Sequence, residues 1–182
     1  DGSTYTLGNI TGGVFEYTGD SSLTSEGIFV TGKNSAVYMN GSAITVAPES
    51  TGVSVIVLDG QYTGTTPLPS GMTAGIDGEN AGNIMLENTS IALYGENGTR
   101  LSNRGGISVG DSSVGLITSG NASLAQNAGT ITVGNGSQGI LVTDGSTVEN
   151  KTQGMITSTG LKSIGMYAKN VSGTVGNSGN VL

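Results

Sequence analysis

Carboxylates are almost the only side chains in this sequence able to do chemistry. There is no histidine and no cysteine, so the usual general base, the thiol nucleophile and the soft metal ligands are missing. The candidate acids are Asp59, Asp77, Glu79, Glu87, Glu96, Asp111, Asp144 and Glu149. Cleavage of a polysaccharide would need two or three of them converging on one face, with a basic group beside them for an acidic sugar. Within the repeats set out below they do not line up. Asp111 shares its place with Asn135, Asp144 lies in a turn one residue longer than its neighbour, and Glu149 stacks near Gln126 and Ser102. They read as scattered, solvent-facing acids, and no catalytic residue is assigned. Asp77-Gly78-Glu79-Asn80 offers hard oxygen donors of the kind Ca²⁺ takes. It lacks the EF-hand spacing and the GGxGxD nonapeptide, so a solvated turn is expected there and no metal or cofactor is assigned.

The elements that must carry these side chains are set by a repeat. Residues 82–179 divide into four copies in which three rows can be followed. An early isoleucine recurs at Ile84, Ile107, Ile131 and Ile156, at intervals of 23, 24 and 25 residues. A middle serine, with a tiny residue two places on and then two large apolar ones, recurs at Ser90, Ser113, Ser137 and Ser163. A late aliphatic residue precedes an asparagine by two places in Leu101/Asn103, Val148/Asn150 and Val175/Asn177, whereas Leu124 and Asn127 are one residue further apart. Three short apolar strands in a period of about 24 residues mark a solenoid. A single coil cannot bury its inner face, so it must stack on its neighbours. The fold expected is all-β, a parallel β-helix with three strands per coil.

Alternation along a strand turns the Ile84, Ile107, Ile131 and Ile156 row inward and Met85, Ser108, Thr132 and Thr157 toward water. The middle strand is less one-sided. Its Leu93/Leu116/Ile140/Met166 row is the better core row. Strict alternation then leaves Tyr94, Ile117, Leu141 and Tyr167 as an outward apolar stripe, on the same face as the tiny row Ala92/Gly115/Gly139/Gly165. Gln138 is awkward on the core face unless it lies at a corner; the opposite assignment of faces stays open. Asn103, Asn127, Asn150 and Asn177 sit at turns, where stacked asparagines can form a ladder.

Glycine numbers 33 of 182 residues and charged residues make up only 10%, which favours turns and short strands over helices. The glycines follow no G-X-Y period, which excludes collagen, and the regular return of paired apolar residues argues against disorder. The formal charge of −7 and six dispersed basic residues leave no basic stripe for nucleic acid. No run of apolar residues is long enough for a membrane-spanning helix.

Earlier in the chain, Tyr5/Leu7 and Val14 to Tyr17 suggest a first coil. SEGIFV (25–30) matches the middle strand with Gly27 in the tiny-residue place, ITV at 44–46 repeats ITV at 131–133, and SVIVL (54–58) supplies another middle strand. Between Asp59 and Asn83 the period fails. Pro67 and Pro69 cannot donate to a ladder, so 60–80 is expected to leave the stack as a loop, with AGID (74–77) as a short returning strand. Insertions of this kind often carry binding, which adds Tyr62 and Leu68 to Tyr94, Ile117, Leu141 and Tyr167 as candidate partner contacts. The whole of 1–182 reads as one body cut from a longer polypeptide.

GTITVGNGSQGILVTDGSTVENKTQG (129–154) and STGLKSIGMYAKNVSGTVGNSGN (158–180) resemble the passenger region of large autotransporter adhesins of Gram-negative bacteria, fusobacterial ones in particular. The likeness covers 82–180 and, more loosely, 22–58. It implies a right-handed β-helical stalk, exported and displayed at the outer membrane by a separate barrel. The function implied is non-catalytic adhesion to a protein or glycan on host cells or other bacteria. A polysaccharide-acting β-helical enzyme and a phage or fibre spike are the alternatives. The 23–26-residue spacing and three strands per coil favour a monomer over the trimeric adhesin head, whose repeat is shorter.

Overall fold

The computed structural model describes residues 8–23, 27–41, 43–46 and 50–182; Tyr5 and Leu7 lie outside them. The chain winds into a right-handed parallel β-helix whose three faces are seven-stranded parallel sheets. One, here the isoleucine sheet, stacks Ser21–Leu23, Ala43–Val46, Asn83–Leu86, Gly106–Val109, Thr130–Val133, Met155–Ser158 and Asn180–Val181. The tyrosine sheet stacks Gly8–Thr11, Gly27–Lys33, Val53–Asp59, Ile91–Glu96, Val114–Ser119, Gln138–Thr143 and Ile164–Lys169. The asparagine sheet stacks Val14–Tyr17, Ala36–Met39, Gly78–Asn80, Arg100–Asn103, Leu124–Asn127, Thr147–Asn150 and Val175–Asn177. Seven rungs at about 4.8 Å give a body roughly 30 Å long.

Like residues stack on like in the isoleucine sheet. Ile44, Ile84, Ile107, Ile131 and Ile156 pair rung to rung and all are buried. Thr45, Met85, Ser108, Thr132 and Thr157 alternate outward, Met85 being 47% exposed. β-branched side chains suit this stacking because their single preferred rotamer is the same on every rung.

The tyrosine sheet departs from strict alternation. Ala92 and Leu93 are both fully buried, while Ile91 and Tyr94 are both half-exposed. The strand therefore bends between rows two and three, and the tiny row points inward instead of sharing the tyrosine face. A Cβ built on Gly115 would lie 2.6 Å from the carbonyl oxygen of Gly139 and 2.9 Å from Cγ2 of the core residue Ile131. The bend has no room for a side chain in the later coils. In the earlier coils this place belongs to Phe29 and Val55, both buried, and not to Gly27, which pairs with Val53. Gln138 lies on the partly exposed row with Val114 and Ile164 and not on the inward one, although its side-chain oxygen is buried and, among the described residues, has no hydrogen-bond partner.

The asparagine ladder is continuous. The amide of Asn80 donates to the side-chain oxygen of Asn103, Asn103 to Asn127, Asn127 to Asn150 and Asn150 to Asn177, each at 2.9 Å. Each rung from Asn80 to Asn150 also donates to a nearby carbonyl, as Asn127 does to Gly129 at 3.2 Å, so the buried amides are satisfied inside the turn. Asn80 belongs to this ladder although it lies in the irregular stretch. In the second regular copy the inward aliphatic place is filled by Ala125, paired with Leu101 and Val148. Leu124 is level with Arg100 and Thr147, which accounts for its extra residue of separation from Asn127.

The corner entering the tyrosine sheet is sewn by side chains of neighbouring coils. The amide of Ser90 donates to Ser113 Oγ at 3.0 Å, and that of Ser113 to Ser137 Oγ at 3.1 Å. Alongside, Asp111 N donates to Asn88 Oδ1 and Asn135 N to Asp111 Oδ1, each at 2.7 Å. Residues 60–77 carry no strand and occupy the corner between the tyrosine and asparagine sheets. The regular coils turn that corner with three to five residues, 97–99, 120–123, 144–146 and 170–174. The returning strand is Gly78–Asn80; AGID at 74–77 is turn.

Candidate functional site

The outer face of the tyrosine sheet carries one long apolar row. Register sets Val57 beside Tyr94, Tyr94 beside Ile117, Ile117 beside Leu141 and Leu141 beside Tyr167. The first four are half-buried and Tyr167 is 40% exposed. Five rungs span about 19 Å. Val57 extends the row past the irregular segment, where no sequence period could place it. Tyr94 lies along the surface with its hydroxyl donating to Glu96 Oε2 at 3.0 Å, and burial, with Glu96 next, pushes its ionisation up.

The same register brings together two acids that the sequence kept apart. Asp59 is level with Glu96 on adjacent rungs. Lys33 lies 3.6 Å from Asp59, and Asn97 donates to Asp59 Oδ1 at 2.8 Å, so the pair is partly neutralised at the rim of the apolar row. The other acids are dispersed among neighbouring partners. Asp111 is held below the ordinary aspartate range by the Asn135 side chain and then its amide. Glu149 is held low chiefly by Lys151 and also accepts from Gln126 at 2.9 Å. Asp144 accepts from Ser119 at 3.5 Å, and Glu87 is half-exposed.

Asp77 and Glu79 overturn the expectation of a solvated turn. Both are buried, at 3% and 0% exposure. Asp77 accepts from the amides of Tyr62 and Arg100, each at 2.8 Å. Burial raises its pKa, and those two amides and the nearby Arg100 charge work against the rise. Glu79 accepts from the Thr73 amide at 2.6 Å, from Thr73 Oγ1 at 2.7 Å and from Arg104 Nε. Arg104 also donates to Gly71 O at 2.7 Å and Tyr38 Oη at 3.3 Å. These oxygens are spent on fastening residues 60–77 to the asparagine sheet, and among the described residues no cluster of three potential metal ligands forms.

Tyr62 and Leu68 are half-buried against a small second core of Ala36, Tyr38, Met72 and Ile76. The Tyr62 hydroxyl donates to Thr66 O at 2.9 Å, so both residues help to hold the insertion's own shape. They lie over the asparagine sheet, on a different face from the Tyr94 row. Comparison with known proteins identified no matching family model, curated protein or solved structure.

Proposed function

We propose that this chain is a segment of a surface-displayed adhesin passenger, an extracellular rod that contacts a protein or glycan on a host cell or another bacterium. The fold beneath the proposal is a β-solenoid scaffold. The observation that carries the reading is the apolar row Val57–Tyr94–Ile117–Leu141–Tyr167 on the outer face of a continuous stack. Contiguous apolar surface on a rigid support is typical of contact faces, and tyrosine is favoured there. Stacked coils carry such a face away from the surface that anchors them, and weak contacts along it add by multivalency. The likeness of 129–154 and 158–180 to autotransporter passengers supports the same reading, with display at a Gram-negative outer membrane.

The test is adhesion of beads coated with the purified chain to epithelial cells and to other bacteria. Coated beads should adhere above uncoated ones, and the double variant Tyr94→Ala, Tyr167→Ala should remove most of that adhesion with its circular dichroism unchanged. Adhesion unaffected by the double variant would remove the row from the contact surface. No adhesion by the unmodified chain would leave a spacer.

A further inference from the structure

The insertion walls one side of an open cleft on the asparagine sheet, separate from the tyrosine row. The cleft, of about 370 Å³, is lined among others by Gln61, Arg100, Leu124, Gln126, Thr147 and Glu149. That volume is near the lower end for small-molecule sites. Among the described residues Arg100 is its one cation. The Arg100 side chain is half-exposed, and among the described residues its guanidinium makes no ion pair and no hydrogen bond. A guanidinium has five N–H donors in a planar fork that matches a carboxylate.

The nearby acids feel the Arg100 charge but do not hydrogen-bond to that fork. Asp77 is taken by the backbone amides of Tyr62 and Arg100. Glu149 is taken by Lys151 and Gln126. What remains around Arg100 is Gln61 and Thr147, which can both donate and accept, and the side-chain oxygen of Gln126, whose amide nitrogen already donates to Glu149, above the apolar side chain of Leu124. Hydroxyl groups need that mixture of donors and acceptors, and the apolar floor suits the C–H face of a ring. The net charge of −7 and the adjacent Glu149 repel a polyanion, so a sparsely charged ligand fits better than an acidic peptide. We propose that this cleft binds a saccharide carrying a carboxylate, a uronate or a sialate, with Arg100 donating to the carboxylate and Gln61, Gln126 and Thr147 meeting ring hydroxyls. The assignment does not depend on the adhesive role of the tyrosine row.

Titration of the purified chain with 3′-sialyllactose, digalacturonate, lactose and a glutamate-rich peptide tests it, read by amide chemical shifts and by calorimetry. At least one acidic sugar should shift the amides of Gln61, Gln126 and Thr147 and bind on the order of tenfold tighter than lactose. Arg100→Gln should weaken that sugar by about tenfold or more, whereas Lys33→Gln, on the tyrosine sheet beside Asp59, should leave it within about twofold. The mapping on the unmodified chain stands even if Arg100→Gln folds poorly. Failure of both acidic sugars to bind, shifts confined to another face, or equal affinity for lactose overturns the proposal. Binding of the glutamate-rich peptide alone overturns its saccharide part.

Discussion

Residues 82–158 and residues 60–77 form opposite kinds of structure on one rod. In the regular coils each residue touches the equivalent residue of the next coil, so a single favourable contact is repeated along the axis. Ile107 sits between Ile84 and Ile131, and Asn127 between Asn103 and Asn150. The insertion repeats nothing. It is held by two buried carboxylates, one cation and a small apolar cluster. The stack distributes its stabilisation over many modest, similar interactions, while the insertion concentrates it in a few that cannot be replaced. Changes that alter stack geometry should therefore travel along the rod, and changes at the insertion should stay local.

The largest effect is expected at Gly129, whose added Cβ would run into the carbonyl oxygen of Gly105 on the neighbouring coil. Backbone cannot yield there without separating the rungs. Gly129→Ala should cost about 3 kcal/mol, seen as a lowered denaturation midpoint of the whole chain. If instead only nearby amides lose hydrogen-exchange protection, the coils are less coupled than this comparison holds.

Arg104→Met should cost about 2 kcal/mol, because it strands the buried Glu79 carboxylate; the figure is reduced because the Arg104 side chain is 39% exposed. Limited proteolysis should then cut within 60–77 while the stack resists. Cutting in the regular coils at the same rate would break the contrast between the two regions.

A smaller effect of opposite sign is expected inside the stack. Thr118 is fully buried and among the described residues its hydroxyl has no hydrogen-bond partner, level with Val142 on the next rung. Thr118→Val should raise stability by about 1 kcal/mol, measured by denaturant unfolding. A loss of stability would mean that the hydroxyl is bonded after all.

The smallest effect separates the regions by pH. Asp111 is held low, so the stability it contributes is present above the ordinary aspartate value and is lost as pH falls through its folded value. Asp77 is raised by burial, so its contribution is present below the ordinary value and is lost as pH rises through the folded one. Carboxyl ¹³C titration should show Asp111 with the lower midpoint. The reverse order would put Asp77 in water and loosen the whole account of the insertion.

Much of the stack was legible in advance because its contacts join equivalent positions about one period apart. The isoleucine rows, the serine and asparagine rows and the Asp111/Asn135 equivalence needed only correct spacing. The bend at the tiny row was not legible, since alternation alone puts rows two and four on one face; burial of Ala92 beside Leu93 and the crowding of Gly115 against Gly139 and Ile131 reveal it. At Leu124-Ala125 the smaller residue, not the more apolar one, fills the row of Leu101 and Val148. Leu124 stacks level with Arg100 and Thr147 and is still buried, at 8% exposure. Of the candidate contact residues, the row Tyr94–Ile117–Leu141–Tyr167 followed from the period. Val57, the adjacency of Asp59 and Glu96, and the cleft at Arg100 were hidden behind the break at 60–77.

By itself the sequence determined the solenoid: short strands, stacked isoleucines and an asparagine turn in every regular coil. A repeated pattern specifies its own neighbours, so local preference and long-range contact are read from the same residues. Tertiary structure alone decided how 60–77 lies on the asparagine sheet and why Asp77 and Glu79 are buried. It also decided which residues complete the tyrosine row and the Arg100 cleft. Those contacts join positions at unequal separations, from Tyr62 with Asp77 to Tyr38 with Arg104, and no spacing in the chain encodes them.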